Sequence, residues 1–486
     1  MSWLGTRDRG TVTRLDTEVL VIGSGAGGAT TAAILAEAGH TVTVVEEGAW
    51  VDPDLVEPFS LEEMELKYRH HGSSAALGAP PVAYAEGRCV GGSTEINSGL
   101  WHRLPSELAD EWRTTYRIDE FTTTQLDAYA ERVEEWQSVS QMPVAPPPSS
   151  ALLERGAAKL GWRSVEFPRV FRYEPSGRGT KQTMARTLIP RAIAAGASVI
   201  ADCRVLRLIR DGDRVVGAKC RRRSTPDVPE ETVEIRAEHV FVCGGAVQTP
   251  ALLQRSGFRR NIGNGLKLHP TIKIAARFTH PIDHGDVSPY RITEFSPNLT
   301  IGGSASRRGH VALALADATT EYADALADWE HVTIYYAAIR SDAGGRVLAL
   351  PGLRAPLVTY SLTDADMSRL ARGLLHLGEL LFAAGATELY PSVEGAVIAR
   401  RSDELVSWWE AVDRRRTNLM TVHLTSSVGM GEDRARTGTD SFGRVWGVHN
   451  LRVNDASLLP DAPGVNPQAA VMTIAARNAE QFLTEQ

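Results

Sequence analysis

Residues 16–48, DTEVLVIGSGAGGATTAAILAEAGHTVTVVEEG, read as a strand, a glycine-rich turn, a helix and a second strand ending in an acid. Val19, Leu20, Val21 and Ile22 make the short apolar run of a parallel strand buried on both faces. Gly23 permits a tight bend, Gly25 lets backbone approach a pyrophosphate, and Gly28 lets the following helix pack close to the strand. The helix, expected over 26–38 and starting at Ala26, points its first N–H groups at that pyrophosphate, where the helix dipole favours negative charge. Gly39 ends it. Val42 to Val45 form the next strand. Glu46 follows where a carboxylate accepts hydrogen bonds from ribose hydroxyls, with Glu47 as the competing acid. Strand before, helix after, second strand and terminal acid together make a nucleotide cradle rather than a plain buried βαβ unit.

At 486 residues the chain is too long for one compact core and implies two domains, which can be interleaved. No run of about 18 apolar residues occurs, so no membrane span is expected. The opening MSWLGTRDRGTVTRL carries Arg7, Asp8, Arg9 and Arg14 where a signal peptide needs an apolar stretch, so a cytoplasmic address is expected. Cys89, Cys203, Cys220 and Cys243 form no CxxC pair, which argues against zinc, iron–sulfur or a redox dithiol. The formal charge of −7 disfavours a general nucleic-acid surface.

Beyond the cradle, Ser60 and Glu63 form a capping box for a short helix, with His70 and His71 at or past its end. Gly87 to Pro105, GRCVGGSTEINSGLWHRLP, is rich in glycine and polar residues and lacks strand alternation. It can lay backbone N–H groups along an extended anion and offer Ser93, Thr94 and Asn97 as partners. A helix is expected from Thr124 to Trp136, then a linker, PVAPPPSS, over 143–150, which is the best candidate for a domain crossing. A further helix is expected over 183–195. CRVLRLIR, VVGAKCRRR and TVEIR read as a small three-stranded sheet, and His239 to Cys243 with Gly244 and Gly245 then repeat the logic of the cradle.

Residues 271–360 read as β-rich, with TIKIAARF, HVALALA and HVTIYYAAI as the strongest strands. A helix over 363–384 starts on a threonine cap and stacks Met367, Leu370, Leu374, Leu377 and Leu381 against a sheet; His376 within it reads as structural. Trp408 and Trp409 read as helix core, with a pocket wall as the alternative.

Near the C-terminus, Asn466 precedes Pro467 and an apolar helix, the arrangement of an N-cap with proline at the first helical position. His423 follows the apolar Val422 and has the pKa range needed to take a hydroxyl proton while hydride leaves carbon. Composition alone does not choose it among thirteen histidines.

Taken together these blocks resemble the glucose-methanol-choline (GMC) oxidoreductases, flavoenzymes that oxidise alcohols with FAD. GSGAGG with Glu46 is similar to the family's ADP site, and GRCVGGSTEINSGLWHR, with Gly91, Gly92, Ser93 and Asn97, to its first signature. GGAVQTPALLQRSGF is similar to the second signature, with Arg259 where glycine is common, and NIGNGLKLHP to a segment usually ending Asp-His-Pro, with Leu268 for the aspartate. VHLTSSVGMG resembles the histidine segment, which implies that His423 is the general base. GVNPQAAVMTIAARNAEQF resembles the His/Asn branch, which implies that Asn466 hydrogen-bonds the substrate oxygen. RVNDASLLP, with Asp455 and Ala456, resembles the stretch that touches the FAD pyrophosphate and ribityl chain. The resemblance further implies that Val205 and Pro467 contact the cofactor. Some members attach flavin through a histidine after the GGS turn; Ile96 or Asn97 stands there, so noncovalent FAD is expected.

The fold class expected is α/β: a Rossmann-like FAD-binding domain from 1–145, 196–275 and 420–486, and an interleaved α+β substrate domain, a sheet covered by helices, from 146–195 and 276–419. The expected reaction is hydride transfer from a CH–OH carbon of a small-molecule alcohol to flavin N5, with oxygen or a quinone-like molecule as electron acceptor. The expected substrate is a polyol, sugar or aminosugar-bearing metabolite, on the strength of Glu321, Asp324, Asp328 and Glu330; a long-chain or steroid alcohol is the alternative. A disulfide-type flavin reductase would need a second GxGxxG and a redox cysteine pair. A GMC-fold lyase and a noncatalytic flavin-binding protein are the remaining rivals.

Overall fold

Strand β1 (Thr13–Ile22) is exposed over its first residues and fully buried over its last four, where both faces are covered. The turn after Ile22 leads into helix α1 (Ala26–Glu37), in which every residue from Gly27 to Ala36 is buried. A helix this poor in large side chains lies close to its sheet on all sides. Gly39, at φ +95°, ends it, and β2 (Val42–Val45) pairs parallel with β1. The computed structural model describes residues 12–223, 230–282, 287, 289–318 and 322–486; Arg7, Asp8, Arg9 and Glu321 lie outside them.

The sheet built on β1 runs in the order Cys203–Asp211, Arg214–Arg222, Glu231–Val242, β1, β2, Ser198–Ile200, with Leu451–Val453 also on Glu231–Val242. The expected small three-stranded sheet is therefore not separate. TVEIR and His239–Val242 are one twelve-residue strand, antiparallel to Arg214–Arg222 and parallel to β1. Its two halves carry different patterns because the first has one buried face and the second has two. Helices Leu188–Ala194 and Gln468–Thr484 pack on α1.

The second sheet contains Val82–Tyr84, Leu419–Thr421, Thr271–Arg277, Val332–Ile339, Leu299–Gly303 and Tyr290–Ile292 in that spatial order. Helix Asp364–Ala384 covers it, capped by Thr363 and Asp366 as a capping box. Met367, Leu370, Leu374, Leu377 and Leu381 are all buried beneath it. A Cβ on Gly373 would stand 2.9 Å from Leu299 and 3.1 Å from Ala337, so this helix presses directly on the strands.

Four expectations need correction. HVALALA is not a strand but part of helix Arg308–Leu315, in which Val311 and Leu315, one turn apart, are buried and Leu313 is 72% exposed. The helix expected over 183–195 spans only Leu188–Ala194, which places Pro190 in the first turn, where no N–H is needed. Of residues 146–195, Pro148–Leu160 does pack on Asp364–Ala384, but Leu188–Ala194 lies on α1 in the first region. Residues 82–84, 271–275 and 420–421, grouped by sequence with the cofactor region, are strands of the second sheet. Among the described residues, no helix is long and apolar enough to cross a membrane. All four cysteines are free and buried.

Candidate active site

A single cavity of about 870 Å³ runs from the cradle to the second sheet. Gly23, Gly25, Ala26, Glu46, Gly92, Ser93, Asn97, Val205, Asp455, Ala456, Asn466, Pro467 and His423 all line it. Gly28 and Gly91 do not. Gly28 works underneath: a Cβ there would meet the Gly23 carbonyl oxygen at 2.0 Å, so glycine is what lets α1 lie on the turn. Gly23 itself has φ +104°, a conformation that L side chains rarely adopt. The Gly91 N–H donates to the Ser24 hydroxyl at 3.0 Å and so ties the first signature to the cradle.

Glu46 is buried, and its carboxylate accepts from the Ser24 hydroxyl (2.7 Å), the Ser24 N–H (3.1 Å) and the Gly48 N–H (2.9 Å). Burial raises its pKa and these hydrogen bonds oppose the rise. A carboxylate has about four lone-pair sites, so one is left for a ribose hydroxyl. Glu47 has less to offer, because Arg69 (3.0 Å), Arg88 (3.3 Å) and Arg204 (3.9 Å) surround it and outweigh burial, holding its pKa down to about 2.

Asp455 accepts from the Gly245 N–H (2.8 Å), the Thr249 hydroxyl (2.5 Å), and the Ser457 N–H (2.7 Å) and hydroxyl (2.5 Å). Its acceptor sites are filled, so it fixes the Gly244–Gly245 turn against the loop that follows Leu451–Val453 and has none left for the cofactor. Asn97 donates to Gln468 Oε1 at 2.7 Å and accepts from the Gly99 N–H at 3.0 Å, which joins the first signature to the start of the last helix. That helix begins at Gln468 with Pro467 at its cap and no side-chain cap hydrogen bond. The expected Asn466 cap is absent: Pro467, itself in helical conformation, stands at the cap position, and Asn466 is half-buried in the cavity wall.

His423 Nδ1 lies 3.0 Å from His269 Nδ1, with the rings near perpendicular. His269 Nε2 accepts the Gly464 N–H at 3.1 Å. Proton counting follows: a neutral His269 that accepts at Nε2 carries its proton on Nδ1 and donates it to His423 Nδ1. His423 then holds its own proton on Nε2. Burial, then His269, His102 and Arg291, push the His423 pKa well below its usual value. In the sequence His269 stands out only through the Pro270 that follows it in the LHP segment.

At this site the acid-lined substrate surface fails, while the core reading of Trp408 and the structural reading of His376 hold. Asp324, Asp328 and Glu330 do not line the cavity, and Asp328 instead pairs with Arg277 and His331. Trp408 is core, and Trp409 is 44% exposed; neither lines the cavity. His376 is structural, stacked on Phe295 at 4.4 Å.

Residues 17–271 and 350–475 match the two parts of the GMC oxidoreductase family. The chain belongs to that family. This GMC oxidoreductase is 40% identical over 484 residues to the GMC-type oxidoreductase y4nJ of Sinorhizobium fredii, covering 97% of this chain and 95% of that one. It is 25% identical to a long-chain-alcohol oxidase, FAO1, of Arabidopsis thaliana, over 96% of this chain and 67% of the plant protein. A crystal structure of pyridoxine 4-oxidase superposes with a TM-score of 0.72 at 18% identity, covering 97% of this chain and all of that one, which shows the shared fold. The enzyme is thus an FAD-dependent alcohol oxidoreductase. The cradle fits that cofactor: a Cβ on Gly92 would stand 2.9 Å from Gly25 Cα, so two bare backbones face each other where a pyrophosphate needs close approach.

Proposed function

We propose that the enzyme oxidises a polar small-molecule alcohol at a CH–OH carbon, with noncovalent FAD, His423 as general base and Asn466 as hydrogen-bond donor to the substrate oxygen. The observation that carries this reading is that His423 and Asn466 line one cavity with the nucleotide cradle, and that His269 bonds both His423 and Gly464, two residues before Asn466. FAD, when bound, supplies the hydride acceptor.

With its pKa well below 6.5, His423 is neutral at neutral pH and able to take a proton. Taking it at Nε2 requires the mirrored arrangement of the imidazole pair, in which His423 Nδ1–H donates to His269 Nδ1 and Gly464 loses its acceptor. Giving up that neutral hydrogen bond costs about 0.5–1.5 kcal/mol. The resulting imidazolium keeps a hydrogen bond to His269, which orients it. Ile96 and Asn97 offer no histidine for attaching flavin, and the Asn97 side chain is already engaged by Gln468 and Gly99.

A polar substrate is supported by the wall beyond the imidazole pair, where Lys273, Thr300, Ser304, Tyr336, Ser392 and Asn418 face the cavity. The aminosugar variant loses the acids on which it rested. The likeness to plant long-chain-alcohol oxidases favours a second reading, a long-chain alcohol lying along Leu313, Ala314 and Leu419.

Anaerobic mixing with a panel of polar, long-chain and sterol alcohols, followed by air, tests the proposal. Bleaching of the flavin by polar alcohols is expected, and bleaching by no member rejects alcohol oxidation. Recolouring in air means that oxygen is the acceptor; recolouring only with an added quinone means a dehydrogenase.

A further inference from the structure

We propose that Lys273 forms an anion-binding end of the substrate cavity, so that the alcohol carries a carboxylate or phosphate on the order of 10 Å from the reacting hydroxyl. This rests on the alcohol-oxidation reading and adds a substrate class to it.

His269, Thr271 and Lys273 alternate along one stretch of chain and all three line the cavity, while Ile272 and Ile274 point into the core. At about 3.3 Å per extended residue, Lys273 stands roughly 13 Å along the chain from His269, and so at the far end from the imidazole pair. Its backbone is held without help from the side chain: its N–H donates to the Ser392 hydroxyl at 3.0 Å, and its carbonyl accepts from the Ser392 N–H at 2.9 Å.

The ammonium makes no ion pair or hydrogen bond among the described residues. Three other lysines have partners. Lys67 pairs with Glu63, Lys267 with Asp461, and Lys181 donates to the carbonyls of Glu95 and Asn97. Burial alone lowers the Lys273 pKa, to about 8, so the group stays mostly charged at neutral pH. An enclosed charge with no partner is costly, and a ligand anion removes that cost.

Asp317, one of the acids lining the cavity, is engaged by the Asn418 amide, and burial raises its pKa. Arg291 also lines the cavity, but its charge acts on His423 and His102 at the imidazole end. His310, whose pKa burial and Lys273 lower to about 4, is neutral, and its buried Nδ1 has no hydrogen-bond partner.

The test uses FAD-loaded enzyme and two readouts. First, octanoate, octyl phosphate and octanamide are titrated while the flavin spectrum is followed. An anion should bind at least about tenfold tighter than the amide, the tighter anion naming the group. Lys273→Met should bring that ratio close to one, and Lys273→Arg should keep it. Equal binding of anion and amide by the wild-type enzyme, or an unchanged ratio in Lys273→Met, overturns the proposal. Second, omega-hydroxyoctanoate should bleach the flavin at lower concentration than the matching diol. Bleaching by the diol without an anion preference sinks the anion site alone. An anion preference without bleaching by any alcohol leaves the anion site standing and rejects the reaction.

Discussion

His269 is the residue whose replacement tests the proton arrangement most sharply. It connects the Gly464 N–H to the His423 ring through contacts of 3.1 and 3.0 Å. His269→Leu removes the hydrogen bond that orients the base and, with it, the need to give up the Gly464 contact when the pair inverts. The lost bond to the imidazolium is worth about 1.5–3 kcal/mol and the avoided Gly464 cost about 0.5–1.5, a net loss of about 1–1.5 kcal/mol, so anaerobic flavin reduction should slow by roughly 5- to 13-fold. That is far less than removing the base. The pH profile carries the distinguishing signal. His269 follows burial among the causes that lower the His423 pKa, so its removal should let that pKa rise, and the acidic limb of the reduction rate should move to higher pH. Stopped-flow bleaching across pH 5 to about 8 measures both quantities. A rate within twofold of wild type together with an unmoved acidic limb would refute the coupling of the two imidazoles.

Three further outcomes are expected. Glu46→Ala should weaken FAD binding by about 1.5–3 kcal/mol, seen by titrating apoenzyme with FAD, while loaded enzyme is reduced at the normal rate; unchanged affinity would discard the ribose role. Glu47→Gln should destabilise the protein by about 3 kcal/mol at neutral pH, because a carboxyl held to about 2 from 4.5 contributes stability above the unfolded value. That difference should shrink as pH falls from 4.5 toward 2, and a urea titration series that shows no pH dependence would count against the arginine cluster. Acid precipitation should release intact FAD to the supernatant, since neither Ile96 nor Asn97 can bond the flavin covalently; yellow pellets would contradict this.

Much of this site was legible in the sequence because its backbone demands are local. Gly23 at φ +104° and the close approach of α1 to the turn at Gly28 need glycine wherever such a cradle forms. Thr363 and Ser60 cap the helices that their spacing predicts. What escaped depends on which face a residue turns. HVALALA alternates like a strand, yet its alanines favour helix and its buried pair lies at i and i+4. Glu231–Val242 reads as two strands because its burial changes from one face to two along its length. Lys273 looks like a solvent-facing residue of an alternating strand, and only the fold shows that its face is a cavity wall. The acids of 324–330 look like a substrate surface in sequence, but Asp328 is engaged by Arg277 and His331.

The central claim is that His423 takes the hydroxyl proton as the alcohol is oxidised, and single-turnover anaerobic reduction of His423→Ala with a substrate that bleaches the wild-type flavin tests it most directly. The account predicts a variant that keeps its FAD and is reduced about 10² to 10⁴ times more slowly. Reduction at close to the wild-type rate would contradict it.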